Sequence, residues 1–161
     1  KTKEGNRITD QFKRQTVVRR YMAVVAGRVK GEQGRLEGYL APADLPRGQK
    51  VKLVPRGKGK RALTQYTVLE RYGDVTLLEV LIKTGRTHQI RVQLAGAGHP
   101  IVGDKIYGDP AFPFKRQALH ASYLLFKHPV TGKKMEMTSK LPRDLRRFVL
   151  SLQKGKSFKP S

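Results

Sequence analysis

Two apolar segments near the middle of the chain constrain its fold more than any other feature. Residues 62–72 (ALTQYTVLERY) and 75–84 (VTLLEVLIKT) are rich in β-branched, aromatic and leucine side chains, and Gly73-Asp74 between them is a turn signal typical of a β-hairpin. In the second segment apolar side chains fall on both faces of a strand, so both faces are expected to be covered. The sequence therefore predicts a hairpin whose second strand lies in the centre of a sheet.

Strand signals also occur elsewhere in the chain. They cover residues 16–27, 35–40, 50–54, 118–129 and 133–140, the last as an edge strand. The first of these is the clearest, because it is rich in valine and ends at a glycine. The two that follow it are weak and indicate hairpins with long loops.

Three helices are expected beside these strands. Residues 2–15 place apolar side chains four apart and indicate a short exposed helix, and Ile90 and Leu94 have the same spacing just after the central strand. Residues 141–152 carry Pro142 at a helix start and an apolar stripe, so they predict a closing helix. The expected fold class is α+β, with a mixed, mainly antiparallel sheet and flanking helices.

The charge of the chain indicates an anionic partner. Its 34 Lys+Arg against 12 Asp+Glu among 161 residues give a formal net charge of +22, and such a chain repels itself unless a polyanion is near. No helix-length segment is basic on one face and apolar on the other, and no apolar run is long enough to span a membrane. Nucleic acid is therefore favoured over a membrane surface. A ribosome-associated structural protein remains an alternative, because such proteins carry charge without chemistry.

The absence of cysteine fits a reducing compartment, and the polar N-terminus KTKEGNRITDQFKRQ is not a signal peptide. A cytoplasmic location is expected. One segment concentrates the positive charge: residues 50–61 (KVKLVPRGKGKR) are either a solvated loop or a phosphate-contacting one. They lack the spacing of a nucleotide-binding P-loop.

The motif TGRTHQIRV, residues 84–92, follows the predicted central strand. A strand-to-helix junction exposes backbone N–H groups and a positive dipole end, which makes it a natural site for a phosphate or carboxylate. Thr84 or Thr87 could cap the helix. Arg86 and Arg91 are about 140° apart around a helix, so they are not expected to serve the same contact.

An arginine at the edge of a core needs an acidic partner, because an unpaired buried charge is too costly to keep. For Arg91 that partner could be an acid of this chain, such as Glu79 or Asp104. His88 is more often a hydrogen-bonded core histidine than a general base. The four histidines lack metal-ligand spacing, so no metal site is expected.

Several motifs together resemble those of the RluA-type pseudouridine synthases, which isomerise uridine in structured RNA. They are RRYMAVVAG, TGRTHQIRV, GHPIVGDKIYG and QALHASYLLFKHP, in this order. The resemblance implies a pseudouridine synthase catalytic-domain fold over residues 1–152, followed by a flexible tail at 153–161. It also implies ribosomal or transfer RNA as substrate, with the uridine in a loop, and neither a metal nor an organic cofactor.

The same resemblance implies site residues. Tyr21 corresponds to the tyrosine that packs against the target base, Arg91 to the basic residue that pairs with a nucleophilic aspartate, and Leu119 to an apolar residue of the uracil pocket. The full set of implied substrate-binding residues is Gly85, Arg86, Thr87, His88, Gln89, Leu119 and His120.

The sequence departs from the family pattern in one respect. The nucleophilic aspartate of these enzymes stands in an R-L-D motif, and none of the aspartates here does. We therefore expect the motif to lie on a portion outside this sequence, and the isolated chain to be inactive. The alternative is a non-catalytic, basic RNA-binding module.

Overall fold

A computed structural model of the protein describes residues 7, 10, 11, 17–44, 49–108 and 114–154. Of the predicted N-terminal helix only residues 7, 10 and 11 are described, and all three are helical; the rest of that prediction lies outside the described residues. Most of the predicted tail, residues 155–161, lies outside them as well.

The described residues form one sheet of seven strands. They are β1 (Val18–Ala26), β2 (Gln33–Pro42), β3 (Val51–Val54), β4 (Lys60–Tyr72), β5 (Val75–Ile82), β6 (Leu119–Lys127) and β7 (Lys134–Thr138). Their order across the sheet is β3-β2-β4-β5-β1-β6-β7, and every pairing of these strands is antiparallel. The predicted mainly antiparallel α+β fold is thus confirmed. So are the edge position of β7 and the central position of β5.

The burial of β5 follows its sequence pattern. Leu77 and Leu78 point to opposite faces of the sheet, and both are buried. The strand pairs with β4 on one side and β1 on the other. The core therefore runs along both faces of β5, which explains why the strand reads as nearly continuous apolar sequence.

Two helices are described after the central strand. Helix α1 (Gln89–Gly96) contributes Ile90 and Leu94 to the core, as their spacing predicts. Helix α2 (Arg143–Gln153) begins directly after Pro142 and buries Leu145, Phe148, Val149 and Leu152 along one side. No helix in the described part of the chain is long and apolar enough to cross a membrane.

The connection from α1 to β6 is the turn-rich segment that the sequence predicts. Ile101 forms an isolated bridge with Val25, and the Val102 amide donates a hydrogen bond to the Val24 carbonyl at 2.9 Å. These contacts hold residues 101–108 against β1. As a result, the segment that carries Asp104 and Tyr107 lies beside the N-terminal end of α1.

Candidate active site

A cleft of about 310 Å³ opens where β1, the end of β5 and the start of α1 meet. Its walls contain Tyr21, Ile82, Arg86, His88, Gln89, Ile90, Arg91, Gln117 and Leu119. Six of the predicted site residues, from three separate parts of the chain, therefore share one cavity. The sequence did not predict Ile82, Ile90 or Gln117 as part of it, because apolar core residues and a lone glutamine carry no local signal of a cavity wall.

The strand register brings Tyr21 to this cleft. Tyr21 lies opposite Val80 of β5, and its neighbour on the same face, Arg19, lies opposite Ile82. Against β6 the register shifts between Arg20 and Tyr21, which marks a bulge. Bulges re-aim side chains next to functional sites. Here the bulge falls at the aromatic residue of the cleft.

Gln89 holds the junction between β5 and α1 in shape. Its side-chain oxygen accepts hydrogen bonds from the Thr84 hydroxyl at 2.7 Å and from the Arg86 amide at 3.0 Å. Its side-chain nitrogen donates to the Leu63 carbonyl at 3.0 Å and to the Thr64 hydroxyl at 2.9 Å. Because Gln89 is buried, these bonds satisfy an amide that would be costly to leave unpaired.

The prediction that Thr84 or Thr87 caps α1 is wrong. The residue at the N-cap position is His88, in the left-handed region at φ 53°, and its side chain makes no capping hydrogen bond. The Thr84 hydroxyl is engaged instead with Gln89 and with the Leu63 amide. The cause is tertiary, because the Leu63 amide that donates to the Thr84 hydroxyl belongs to strand β4.

His88 is held by Tyr107. The His88 Nδ1 atom lies 2.9 Å from the Tyr107 hydroxyl, and the two rings meet edge to face at 5.4 Å between centroids. Partial burial lowers the pKa of His88 below its usual range, and the positive charges of Arg91 and Lys50 add to this effect. A neutral imidazole in a hydrogen bond is therefore favoured at this position. Among the described residues no three His, Cys, Asp or Glu side chains are grouped so as to hold a metal ion.

Arg91 forms a buried, bidentate ion pair with Asp104. Its Nε and Nη2 atoms donate to the two carboxylate oxygens at 2.7 and 2.8 Å. Asp104 is only 1% exposed, and it also accepts hydrogen bonds from the amides of Ile106 and Tyr107. The sequence left Glu79 and Asp104 open as partners of Arg91, and the structure shows Asp104. Glu79 lies in β5, where its backbone is opposite Met22 of β1 and Thr67 of β4.

The ion pair with Asp104 leaves one terminal nitrogen of Arg91 for a further acceptor. Two of its nitrogens are taken by Asp104, while among the described residues no acceptor is bonded to Nη1. The guanidinium also lies over the Tyr107 ring at 5.2 Å. Hydrogen bonds to Asp104 raise the pKa of Arg91. Burial alone would raise the pKa of Asp104, but its bonds to Arg91 and to two amides outweigh burial and hold that pKa below its usual range.

The remaining predicted site residues lie outside the cleft. Gly85 and Thr87 line a second groove next to it, which shares Arg86 with the first cleft. His120 lies in β6, and its Nε2 atom is 3.2 Å from the Ser139 carbonyl. The structure therefore does not bring His120 to the Tyr21 cleft.

Comparison with known proteins agrees with this geometry. The family model described as RNA pseudouridylate synthase matches residues 1–96, and the chain belongs to this family. It is 38% identical over 144 residues to the ribosomal large subunit pseudouridine synthase D of Zymomonas mobilis, which covers 84% of this chain and 45% of that protein. It is also 38% identical over 149 residues to the uncharacterized RNA pseudouridine synthase YlyB of Bacillus subtilis, covering 92% and 48%.

The chain spans about half the length of these relatives. Among solved structures, the human RNA pseudouridylate synthase domain containing 1 protein superimposes with a TM-score of 0.73 at 24% identity, over 97% of this chain and 73% of that one. This likeness shows a shared fold. The resemblance to the pseudouridine synthases that the sequence motifs indicate is thus confirmed.

Proposed function

We propose that the protein isomerises uridine to pseudouridine in RNA, and that this chain supplies the cleft that receives the base. The observation that carries the proposal is the cleft itself, in which Tyr21, Leu119 and Arg91 meet within a chain of the pseudouridylate synthase family. Ribosomal RNA is the favoured substrate, because several relatives are named as ribosomal large subunit pseudouridine synthases. A cytoplasmic location and a catalytic domain over residues 1–152 belong to the same proposal.

The cleft suits a uridine that has left its stack. Extruding a base costs a few kcal/mol, and an aromatic side chain in a closed pocket offsets part of that cost. Tyr21 supplies the ring, and Leu119 supplies an apolar wall. The glycosidic bond from C1′ to N1 then breaks, the base turns, and C5 bonds to C1′. C5 loses its proton and N1 gains one, so the product is an isomer of the substrate.

Arg91 would orient a carboxylate at this cleft through its remaining nitrogen. The ion pair with Asp104 fixes two of its nitrogens and leaves Nη1 for another acceptor. An opposite charge in contact lowers the pKa of an acid and so keeps it ionised. Arg91 can therefore serve the role that the family resemblance implies while it is also paired within the chain.

Asp104 itself is poorly suited to act as the nucleophile. Both of its oxygens accept hydrogen bonds, from Arg91 and from two backbone amides, and the side chain is fully buried. No aspartate of the sequence lies in an R-L-D motif. We therefore propose that the 161-residue chain by itself binds RNA without turnover.

A non-catalytic RNA-binding module is the second candidate. The net charge of +22 and the absence of the R-L-D motif from the sequence favour it. The test is to express the whole reading frame and, separately, the 161-residue chain, and to measure pseudouridine in ribosomal RNA by mass spectrometry. We expect isomerisation by the first and none by the second. A whole reading frame that binds RNA but never forms pseudouridine would favour the module.

Variants of Tyr21 test the cleft in the whole reading frame. Tyr21→Ala removes the ring and should lower kcat/KM by about 100-fold or more, since stacking is worth about 1–3 kcal/mol per base and the base also loses its orientation. Tyr21→Phe keeps the ring and should retain packing of the base. His120→Ala is the matched control, because His120 lies outside the cleft. Tyr123→Ala is a second control of the same residue type, because Tyr123 does not line the cleft. Equal loss from Tyr21→Ala and Tyr123→Ala would contradict the assigned site.

A further inference from the structure

A second groove of about 460 Å³ lies directly beside the Tyr21 cleft. Its apolar surface comes from Leu40, Ala41 and Val51. Two lysines also line it, Lys58 in the turn before β4 and Lys60 at the start of β4. Arg86 contributes to both this groove and the Tyr21 cleft. The two cavities therefore adjoin at one arginine side chain.

Arg86 is fixed at this boundary although it is exposed. Its Nε atom donates to the Arg61 carbonyl at 2.8 Å, and its backbone amide donates to the buried Gln89 side chain at 3.0 Å. Anchoring through Nε leaves the two terminal nitrogens of the guanidinium for a ligand. Arginine presents such nitrogens to phosphate in a geometry that matches two oxygens.

The ionisable side chains that line the groove are all cations. Lys58, Lys60 and Arg86 form no ion pair with an acid among the described residues. The acids on either side of the groove residues 40–42 are already paired: Glu37 with Arg61 at 2.6 Å and Arg35 at 3.2 Å, and Asp44 with Lys52 at 3.8 Å. The groove therefore presents positive charge that the described part of the chain does not neutralise.

The turn that carries the two lysines is held closely against β2. A side chain at Gly59 would meet the Leu40 carbonyl oxygen at 2.5 Å and a Val54 methyl group at 2.7 Å. Only glycine allows this approach, because the contact involves backbone and cannot be relieved by a rotamer change. Lys58 and Lys60 on either side of Gly59 are thus placed on a defined turn beside the apolar floor of the groove.

From this arrangement we infer that the groove binds the nucleotide next to the target uridine, with its phosphate on Arg86 and the two lysines and its base or sugar on the apolar floor. The inference rests on the proposed function, because it places the uridine in the Tyr21 cleft. The phosphate that joins two neighbouring nucleotides then passes Arg86, where the cavities adjoin. Unstacked single-stranded RNA presents both its phosphates and its bases to a protein, so one groove can contact the two together. The lysine-rich segment is then a phosphate-binding element.

The test compares two pairs of substitutions that remove equal charge. Lys58→Gln with Lys60→Gln alters the groove, and Lys133→Gln with Lys134→Gln alters the end of the sheet near β7, opposite β3. The 161-residue chain is titrated with a short single-stranded RNA that has one central uridine among adenosines, at several salt concentrations. The groove pair should reduce the slope of log affinity against log salt by up to about 0.7, since the single phosphate contact in the groove accounts for about 0.7.

An RNA with an uncharged methylphosphonate linkage beside the uridine locates the contact. This linkage should weaken binding by the unaltered chain and by the Lys133/Lys134 control on at least one side of the uridine. It should cause a smaller loss with the groove pair, in which Arg86 is the only one of the three cations left to contact the linkage. An equal loss with all three proteins would overturn the inference, and so would equal slopes for the two pairs.

Filling the groove tests the apolar floor without a change in charge. Ala41→Phe should weaken binding of the RNA with the central uridine several-fold. It should leave binding of an RNA that ends at the uridine unchanged. Equal effects on both RNAs would overturn the inference. If the unaltered chain binds neither RNA, the proposed function fails together with the groove. If it binds normally and the groove variants behave like the control, only the groove assignment fails.

Discussion

At the scale of single residues, the shape of the cleft wall depends on Asp104. This residue is not near Arg91 in the chain, yet it holds two nitrogens of the guanidinium, and two amides of its own segment hold the carboxylate in turn. A buried ion pair adds little to stability relative to apolar residues, but breaking one leaves a charge without a partner. The pair therefore acts mainly to orient Arg91.

Asp104→Ala should destabilise the protein by about 3–5 kcal/mol, because it leaves Arg91 buried without its partner. The double variant Asp104→Leu with Arg91→Met should cost less, since it leaves no unpaired charge. The free energy of unfolding, measured by urea denaturation, checks both. If the double variant cost as much as the sum of the single variants Asp104→Leu and Arg91→Met, the two residues would not be coupled.

His88 makes stability depend on pH. Its pKa is lowered in the folded protein, chiefly by burial and further by Arg91 and Lys50, with Asp104 opposing them. The folded state therefore binds fewer protons than the unfolded state. The stability that neutral His88 contributes is present above the unfolded value of about 6.5 and declines as the pH falls below it.

His88→Asn should weaken this decline, because asparagine does not titrate and tolerates the left-handed backbone at this position. The melting temperature of both proteins, measured from pH 7.5 to pH 5.5, gives the comparison. The other histidines are present in both proteins, so the difference reports on His88. Identical pH profiles would contradict the assignment. His88→Val should be less stable than His88→Asn at every pH, because a β-branched residue is strained there.

At the scale of secondary-structure elements, α2 closes the core through one apolar side. Leu145 is 1% exposed and Phe148 contacts Phe114 at 5.0 Å between ring centroids, whereas Leu150 on the opposite side is 46% exposed. The helix has an acidic residue, Asp144, in its first turn, which pairs with Arg116 of the preceding connection at 2.9 Å. Burial of the apolar side contributes most of its stability.

Leu145→Ala should lower the free energy of unfolding by about 2–5 kcal/mol, because it leaves a cavity in a packed core. The matched control is Leu150→Ala, which removes the same atoms from the exposed side and should cost less than about 0.5 kcal/mol. Chemical denaturation of the two variants provides the measurement. Similar losses from both would mean that α2 does not bury the side described here.

At the scale of the whole molecule, the dominant property is charge. A net charge of +22 over 161 residues favours expansion, and it is what remains after all 12 acidic residues are counted, so the ion pairs within the chain do not reduce it. Exposed charges on the same molecule repel each other less as salt shortens the screening length. Stability and RNA binding should therefore respond to salt in opposite directions.

Raising the salt concentration from about 20 to 200 mM should raise the melting temperature of the chain, because screening relieves repulsion in the folded state. RNA affinity should fall over the same range, since the counterions released on binding gain less entropy when the bulk salt concentration is higher. Scanning fluorimetry and RNA titration in the same buffers measure the two effects. A melting temperature that falls with salt would show that attractive ion pairs outweigh the repulsion.

Much of the fold follows from the sequence alone. The strands around Tyr21 and Leu78 were predicted because alternation and β-branched content are local properties of a strand. One of the two weaker strands was predicted too short: the structure extends 35–40 to Gln33–Pro42, because pairing with β4 adds residues whose own pattern is ambiguous. The motif around Arg91 also identified the family, and its strand-to-helix position was predicted from spacing.

Only the tertiary structure decided how the site is assembled. The ion pair of Arg91 with Asp104, the capping position of His88 and the groove beside Arg86 all depend on contacts between segments that are separate in sequence. Periodicity and residue type report which face a side chain occupies, but not which distant backbone or carboxylate meets it. Those partners are set by strand order and register, which place the segment of Asp104 against β1 and the lysine turn against β2.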